Sequence, residues 1–198
     1  RCNPGQSAID IVQEARLFTV SKIAIPASVS RTGTAITFDG TNLTFMGHSQ
    51  GGVNGPLFLA ADDQARGGVL SGTGATFAVS LLDKTRPDPP IRGLVKAFAG
   101  LYTSETEGEL NLLHPTLSMA QALVELGDPV SYMRTIVREP RPGFRPKSIL
   151  QTEGVREDGT GDNFTPVRAI EAAVSIMGLP VLAPAIHPLG SLPDTGTV

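Results

Sequence analysis

The sequence predicts an α/β fold with a mostly parallel sheet and a helical insertion, and three observations carry that prediction. Short apolar runs alternate with helix-spaced segments along the chain. A Gly-x-Ser-x-Gly turn, Gly47 to Gly51, falls between one such run and a helix-like segment. The stretch Ile91 to Val137 spaces its apolar residues by three and four (Leu117, Ala120, Leu123) and carries no strand pattern.

Taken in order, Ser7 to Phe18 places Ile9, Ile11, Val12, Ala15 and Leu17 at roughly helical spacing. Lys22 to Pro26 is long enough for one short strand, and Ser28 to Gly40, rich in Ser, Thr and Gly, reads as a loop. Asn42 to Gly47 is a glycine-bounded apolar run and reads as a buried strand. A short helix is expected over Val53 to Ala61 and a second buried strand over Gly67 to Ser71. Three prolines between Thr85 and Pro90 mark an exposed loop. Residues 91–137 then form the helical insertion, expected as a cap, which leaves 1–90 and 138–198 as an α/β core. Ser148 to Gly154 is a third strand, and Pro166 to Met177 is a helix with proline in its first turn and Gly178 as its stop. Val181 to Ile186 is a candidate fourth strand.

Composition narrows the function classes. A chain of 198 residues, 40% hydrophobic and 18% charged, is one globular domain in size and character. Its formal charge of −3 supplies no basic field for nucleic acid. No apolar run reaches the ~18 residues of a transmembrane segment. Cys2 is the only cysteine, so an internal disulfide and a cysteine zinc cluster are both excluded. With no tryptophan and 5% aromatics, a base-stacking surface is not expected.

The chemistry is carried by the serine turn. At a tight strand-to-helix junction a serine takes a strained backbone, small neighbours let the strand and helix approach, and the hydroxyl is lifted above the sheet. The helix that follows points its positive end at developing negative charge. Phe45-Met46-Gly47-His48-Ser49-Gln50-Gly51-Gly52 resembles the nucleophile elbow of bacterial serine esterases and lipases of the α/β-hydrolase superfamily. That resemblance runs from about Asn42 onward and implies a sheet of the α/β-hydrolase type. It also implies Ser49 as nucleophile, the backbone N–H of Gln50 as one oxyanion donor, and no metal or cofactor. A second donor comes in that family from a loop upstream of the serine, and no such glycine-rich loop precedes Ser49 here. His48 is expected to point into the turn as a packing residue.

A serine hydroxyl needs a histidine to take its proton and a carboxylate to orient that histidine. Asp162-Asn163-Phe164-Thr165-Pro166 resembles the family's acid loop, after the third strand and before a helix, and implies Asp162 as the acid. Asp162 is equally placed to cap the helix, and Asp158 and Glu157 compete in the same loop. The family's chain order leaves His187 as the base, since it alone among the three histidines follows Asp162. It lacks the glycine that precedes the family's histidine, and the alternative is that the true histidine lies beyond Val198. His114 is expected on the insertion, at its surface.

Only 46 residues precede Gly47, so a sheet built from this chain alone is expected to expose an apolar edge and face. The chain, which opens Arg1-Cys2-Asn3-Pro4, is therefore read as a fragment of a larger hydrolase, with completion by a second chain as the alternative. The expected activity is hydrolysis of small hydrophobic esters. Acyl transfer to an alcohol uses the same residues, and a non-catalytic binding or structural protein would keep the fold without the triad.

Overall fold

The computed structural model describes residues 3–88, 90–101, 110–186 and 194–195. It is a mixed α/β architecture built on three parallel strands, β3 (Thr44–His48), β4 (Gly67–Ser71) and β5 (Ser148–Thr152), in the order β3-β4-β5. Ahead of them, helix α1 spans Asn3–Thr19, and two two-residue strands, β1 (Ala24–Ile25) and β2 (Ile36–Thr37), pair antiparallel. Helix α2 (Gln50–Ala61) joins β3 to β4, and α7 (Val167–Met177) follows β5.

The helical layer lies on one face of this sheet because strand side chains alternate. Two cross-strand rows, Phe45-Gly68-Ile149 and Gly47-Leu70-Gln151, face the helices. Phe45 packs against Phe58 of α2 with ring centroids 5.4 Å apart. Seven of the twelve α2 residues are buried, as befits a helix enclosed between sheet and helices. Around it α1 contributes Ala8 and Ala15, α6 (Val130–Val137) contributes Met133 and Ile136, and α7 contributes Ala173 and Met177.

The other face differs from the expectation of buried strands. Its rows are Thr44-Gly67-Ser148, Met46-Val69-Leu150 and His48-Ser71-Thr152. Met46 is 75% exposed and Leu150 47%. In β3 only Gly47 is buried. An apolar run of this kind predicts burial on both faces, whereas helices cover one side of it.

The described residues of 91–137 are mostly helical and carry no strand, as expected. It holds α4 (Ile91–Phe98), α5 (Pro115–Val124), a 3-10 turn Glu125–Gly127, and α6. Together with α3 (Phe77–Asp83), α4 and α5 build a second small core from Leu81, Leu82, Leu110 and Leu117. Helix α6 packs instead with the main core. The expected fourth strand shortens to β6 (Val181–Leu182), which pairs with β7 (Asp194–Thr195) and not with the main sheet. Pro180 and Pro184 bracket it, and neither supplies an amide to extend a ladder. Among the described residues no helix is long and apolar enough to cross a membrane.

Candidate active site

Ser49 stands alone between the last residue of β3 and the first of α2, with φ 52° and ψ −111°. An L-residue avoids this region, so the turn is strained and must be held from outside. It is held by two backbone bonds: the Ser49 amide donates to the Ser71 carbonyl at 3.0 Å, and Val53 N–H donates to the Ser49 carbonyl at 3.1 Å. Its residue is exposed, at the C-terminal end of the sheet.

The glycines explain how strand and helix come so close. A Cβ on Gly47 would lie 2.5 Å from the Gly51 carbonyl oxygen and 2.6 Å from the Phe45 ring. One on Gly52 would lie 2.2 Å from Thr73 Oγ1. Gly51, by contrast, faces open space. The steric demand therefore falls on the first and third glycines of the motif, not on the second.

Gln50 is the first residue of α2, so its amide has no carbonyl one turn behind it within the helix. That leaves an N–H at the positive end of a twelve-residue helix, adjacent to the serine.

Asp162 reaches the same end of the sheet from the loop after β5. Its Oδ1 accepts from Phe164 N–H at 2.7 Å and Thr165 N–H at 3.0 Å, the turn-closing role an Asx residue favours. Its Oδ2 points the other way, 3.7 Å from where a Cβ on Gly72 would sit. His48 Cε1 and Thr165 Oγ1 approach that same point at 3.8 and 3.9 Å. Gly72, at φ +56°, is thus the gap around which the carboxylate, an imidazole and a hydroxyl converge. Asp158 is turned away onto its own loop. Its Oδ1 accepts from the Thr160 hydroxyl and amide, and those bonds hold its carboxyl below the usual aspartate value.

The histidines divide differently from expectation. His48 is exposed rather than packed into the turn, and its Nδ1 lies 3.1 Å from Ser71 Oγ. The reason is the strand period, which sets His48 on the same face as Met46, opposite the helices. Ser71 was not picked out from sequence. Only the parallel register His48↔Ser71 brings it into play. His114 caps α5, its Nδ1 accepting from Thr116 N–H at 3.2 Å. His187 lies outside the described residues.

Among the described residues no group of three or more His, Cys, Asp or Glu side chains is placed to hold a metal ion. No protein family, no curated protein and no solved structure matches this chain.

Proposed function

We propose that the chain is a serine hydrolase of carboxylic esters, with Ser49 as its nucleophile. The observation that carries the reading is the backbone of Ser49, strained at φ 52° and ψ −111° in a one-residue turn between strand and helix. Strain of this kind costs about 1–3 kcal/mol and persists where surrounding structure over-determines it, most often at sites of chemistry.

The Ser49 oxygen attacks the ester carbonyl carbon while a histidine takes the hydroxyl proton. The Gln50 N–H and the positive end of α2 stabilise the tetrahedral oxyanion. Collapse expels the alcohol, which receives the proton from the histidine, and leaves an acyl group on Ser49. Water, deprotonated by the same histidine, then releases the acid. Asp162 orients the base through its Oδ2, since its Oδ1 is committed to its own turn. His187 is the base by chain order. The helical insertion 91–137 is the proposed cap, and its exposed apolar side chains Leu94 and Phe98 are the ones available to a hydrophobic acyl group.

The test is labelling of the full chain with a fluorophosphonate probe, followed by peptide mapping, beside Ser49→Ala, His48→Ala and His187→Ala. The expected adduct sits on Ser49 and is lost in Ser49→Ala and His187→Ala, but not in His48→Ala. An adduct on Ser71, lost with His48, would transfer the nucleophile to the pair now 3.1 Å apart. Absence of any adduct would end the reading of this chain as an active hydrolase with His187 as its base.

A further inference from the structure

A cluster of cationic side chains lies at the opposite end of the sheet from Ser49. A cleft of about 770 Å³ opens there, just ahead of the first residues of β3, β4 and β5. Four cationic side chains line it (Lys22, Arg66, Arg145 and Lys147) against two carboxylates, Asp39 and Asp63. Both carboxylates are already engaged. Asp39 accepts from the Thr41 amide at 2.9 Å and hydroxyl at 2.7 Å, and Asp63 accepts from Gln64 Nε2 at 2.9 Å. Among the described residues no carboxylate lies within ion-pair distance of Lys22, Arg66 or Arg145.

The Arg66 backbone and the Lys147 ammonium are held in place by hydrogen bonds. Arg66 N–H donates to the Leu43 carbonyl and Ser148 N–H donates to the Arg66 carbonyl, which stitches the Arg66 backbone between strands. Lys147, only 7% exposed, donates through Nζ to the carbonyls of Asp62 at 2.7 Å and Ala65 at 2.6 Å. An ammonium has three N–H groups, so one remains. Lys22 holds φ +49°, a conformation unfavourable for lysine. The same cleft has an aromatic wall, Phe18 and Phe38, in edge-to-face contact with centroids 5.1 Å apart.

We propose that this cleft is a binding site for a phosphate monoester carried on an aromatic or other flat apolar body. Lys22, Arg66 and Arg145, with no carboxylate at ion-pair distance among the described residues, supply the charge that attracts a dianion, and guanidinium forks suit the tetrahedral oxygens of a phosphate. The Phe18–Phe38 wall takes the apolar part. The site is independent of the Ser49 chemistry and stands or falls separately from it.

Phenyl phosphate is titrated into the full chain at low ionic strength and followed by calorimetry and by amide chemical shifts. Saturable binding is expected, with shifts at Arg66, Arg145 and Lys147, weakening as salt is raised. Arg66→Ala and Arg145→Ala should each weaken it about tenfold or more, as loss of a charge-assisted hydrogen bond does. Both arginines are exposed, so their melting temperatures should match the native chain. Inorganic phosphate and benzoate should bind more weakly than phenyl phosphate. Inorganic phosphate binding equally well would remove the aromatic half of the proposal, and benzoate binding equally well would remove the dianion. Absence of saturable binding, or binding unchanged in the Arg66→Ala/Arg145→Ala double variant, overturns it.

Discussion

Ser49 concentrates the strain of the site in one residue, which makes the strain measurable. Glycine accepts φ 52° and ψ −111° at little cost, whereas alanine keeps the Cβ that resists it. Ser49→Gly should therefore raise thermodynamic stability by about 0.5–2 kcal/mol in urea unfolding, and Ser49→Ala should leave it near native. Equal stability of the two variants would mean that the turn stores no strain. The neighbouring glycines give a second contrast. Gly52→Ala drives a methyl to 2.2 Å from the buried Thr73 hydroxyl and should cost about 1–3 kcal/mol. Gly51→Ala enters open space in a helix and should be neutral or stabilising by up to ~1 kcal/mol. The serine and its glycines were legible as a motif. The contact at Gly52 was not, because the atoms a Cβ would meet there belong to Thr73, twenty-one residues further along the chain.

Helix α3 was the element the sequence concealed, since nothing in Phe77 to Asp83 marks a start. Its N-cap, Thr76, has φ 66° and no side-chain capping bond. The cap comes from Asp128 in the loop before α6. Its buried carboxylate accepts from Thr76 N–H at 3.1 Å, Phe77 N–H at 2.5 Å, Val130 N–H at 3.0 Å and Gln121 Nε2 at 2.7 Å. Asp128→Asn replaces one acceptor oxygen with a donor facing donors. It should cost about 2–4 kcal/mol and release amide exchange in α3 before the sheet. Lys147 does comparable work for the loop after α2, donating to the Asp62 and Ala65 carbonyls. Burial pushes its ammonium below the usual lysine value, against the opposing pull of Asp62 and Asp63. With the folded pKa below the unfolded one, the unfolded chain binds more protons between the two. Stability should then rise with pH across that alkaline window and level off above the ordinary lysine value. Lys147→Met should lose about 1–3 kcal/mol and also lose this rise. Unfolding of both chains from pH 8 to 11 reads it: a native-minus-variant difference that stays flat would show the ammonium is not desolvated.

At the scale of the whole molecule the sheet is covered on one side. Parallel sheets ordinarily bury both faces, yet the row Met46-Val69-Leu150 lies in the solvent-facing layer. A native-state dye that reports exposed apolar surface should bind, and Met46→Lys/Leu150→Lys should remove much of that signal. Because Met46 is 75% exposed, Met46→Lys alone should change stability by no more than about 0.5 kcal/mol. A cost of several kcal/mol would show that the face is covered in solution.

What the sequence determined by itself was local. The strand Gly67–Ser71 kept its expected bounds and the helix its expected end at Met177, because glycines bound the one and Gly178, at φ 69°, ends the other; Pro166 caps that helix and does not enter its first turn. The position of the turn around Ser49 was local, a matter of adjacent small residues, although the Ser71 carbonyl helps to hold it. The tertiary structure decided what depends on register and on partners distant in the chain. It chose the open face of the sheet and exposed His48 beside Ser71, twenty-three residues away. It gave α3 its cap from Asp128, fifty-two residues from Thr76. It also gathered Lys22, Arg66, Arg145 and Lys147 into one cleft. Periodicity states which residues share a face of their own element. Only packing states what that face meets.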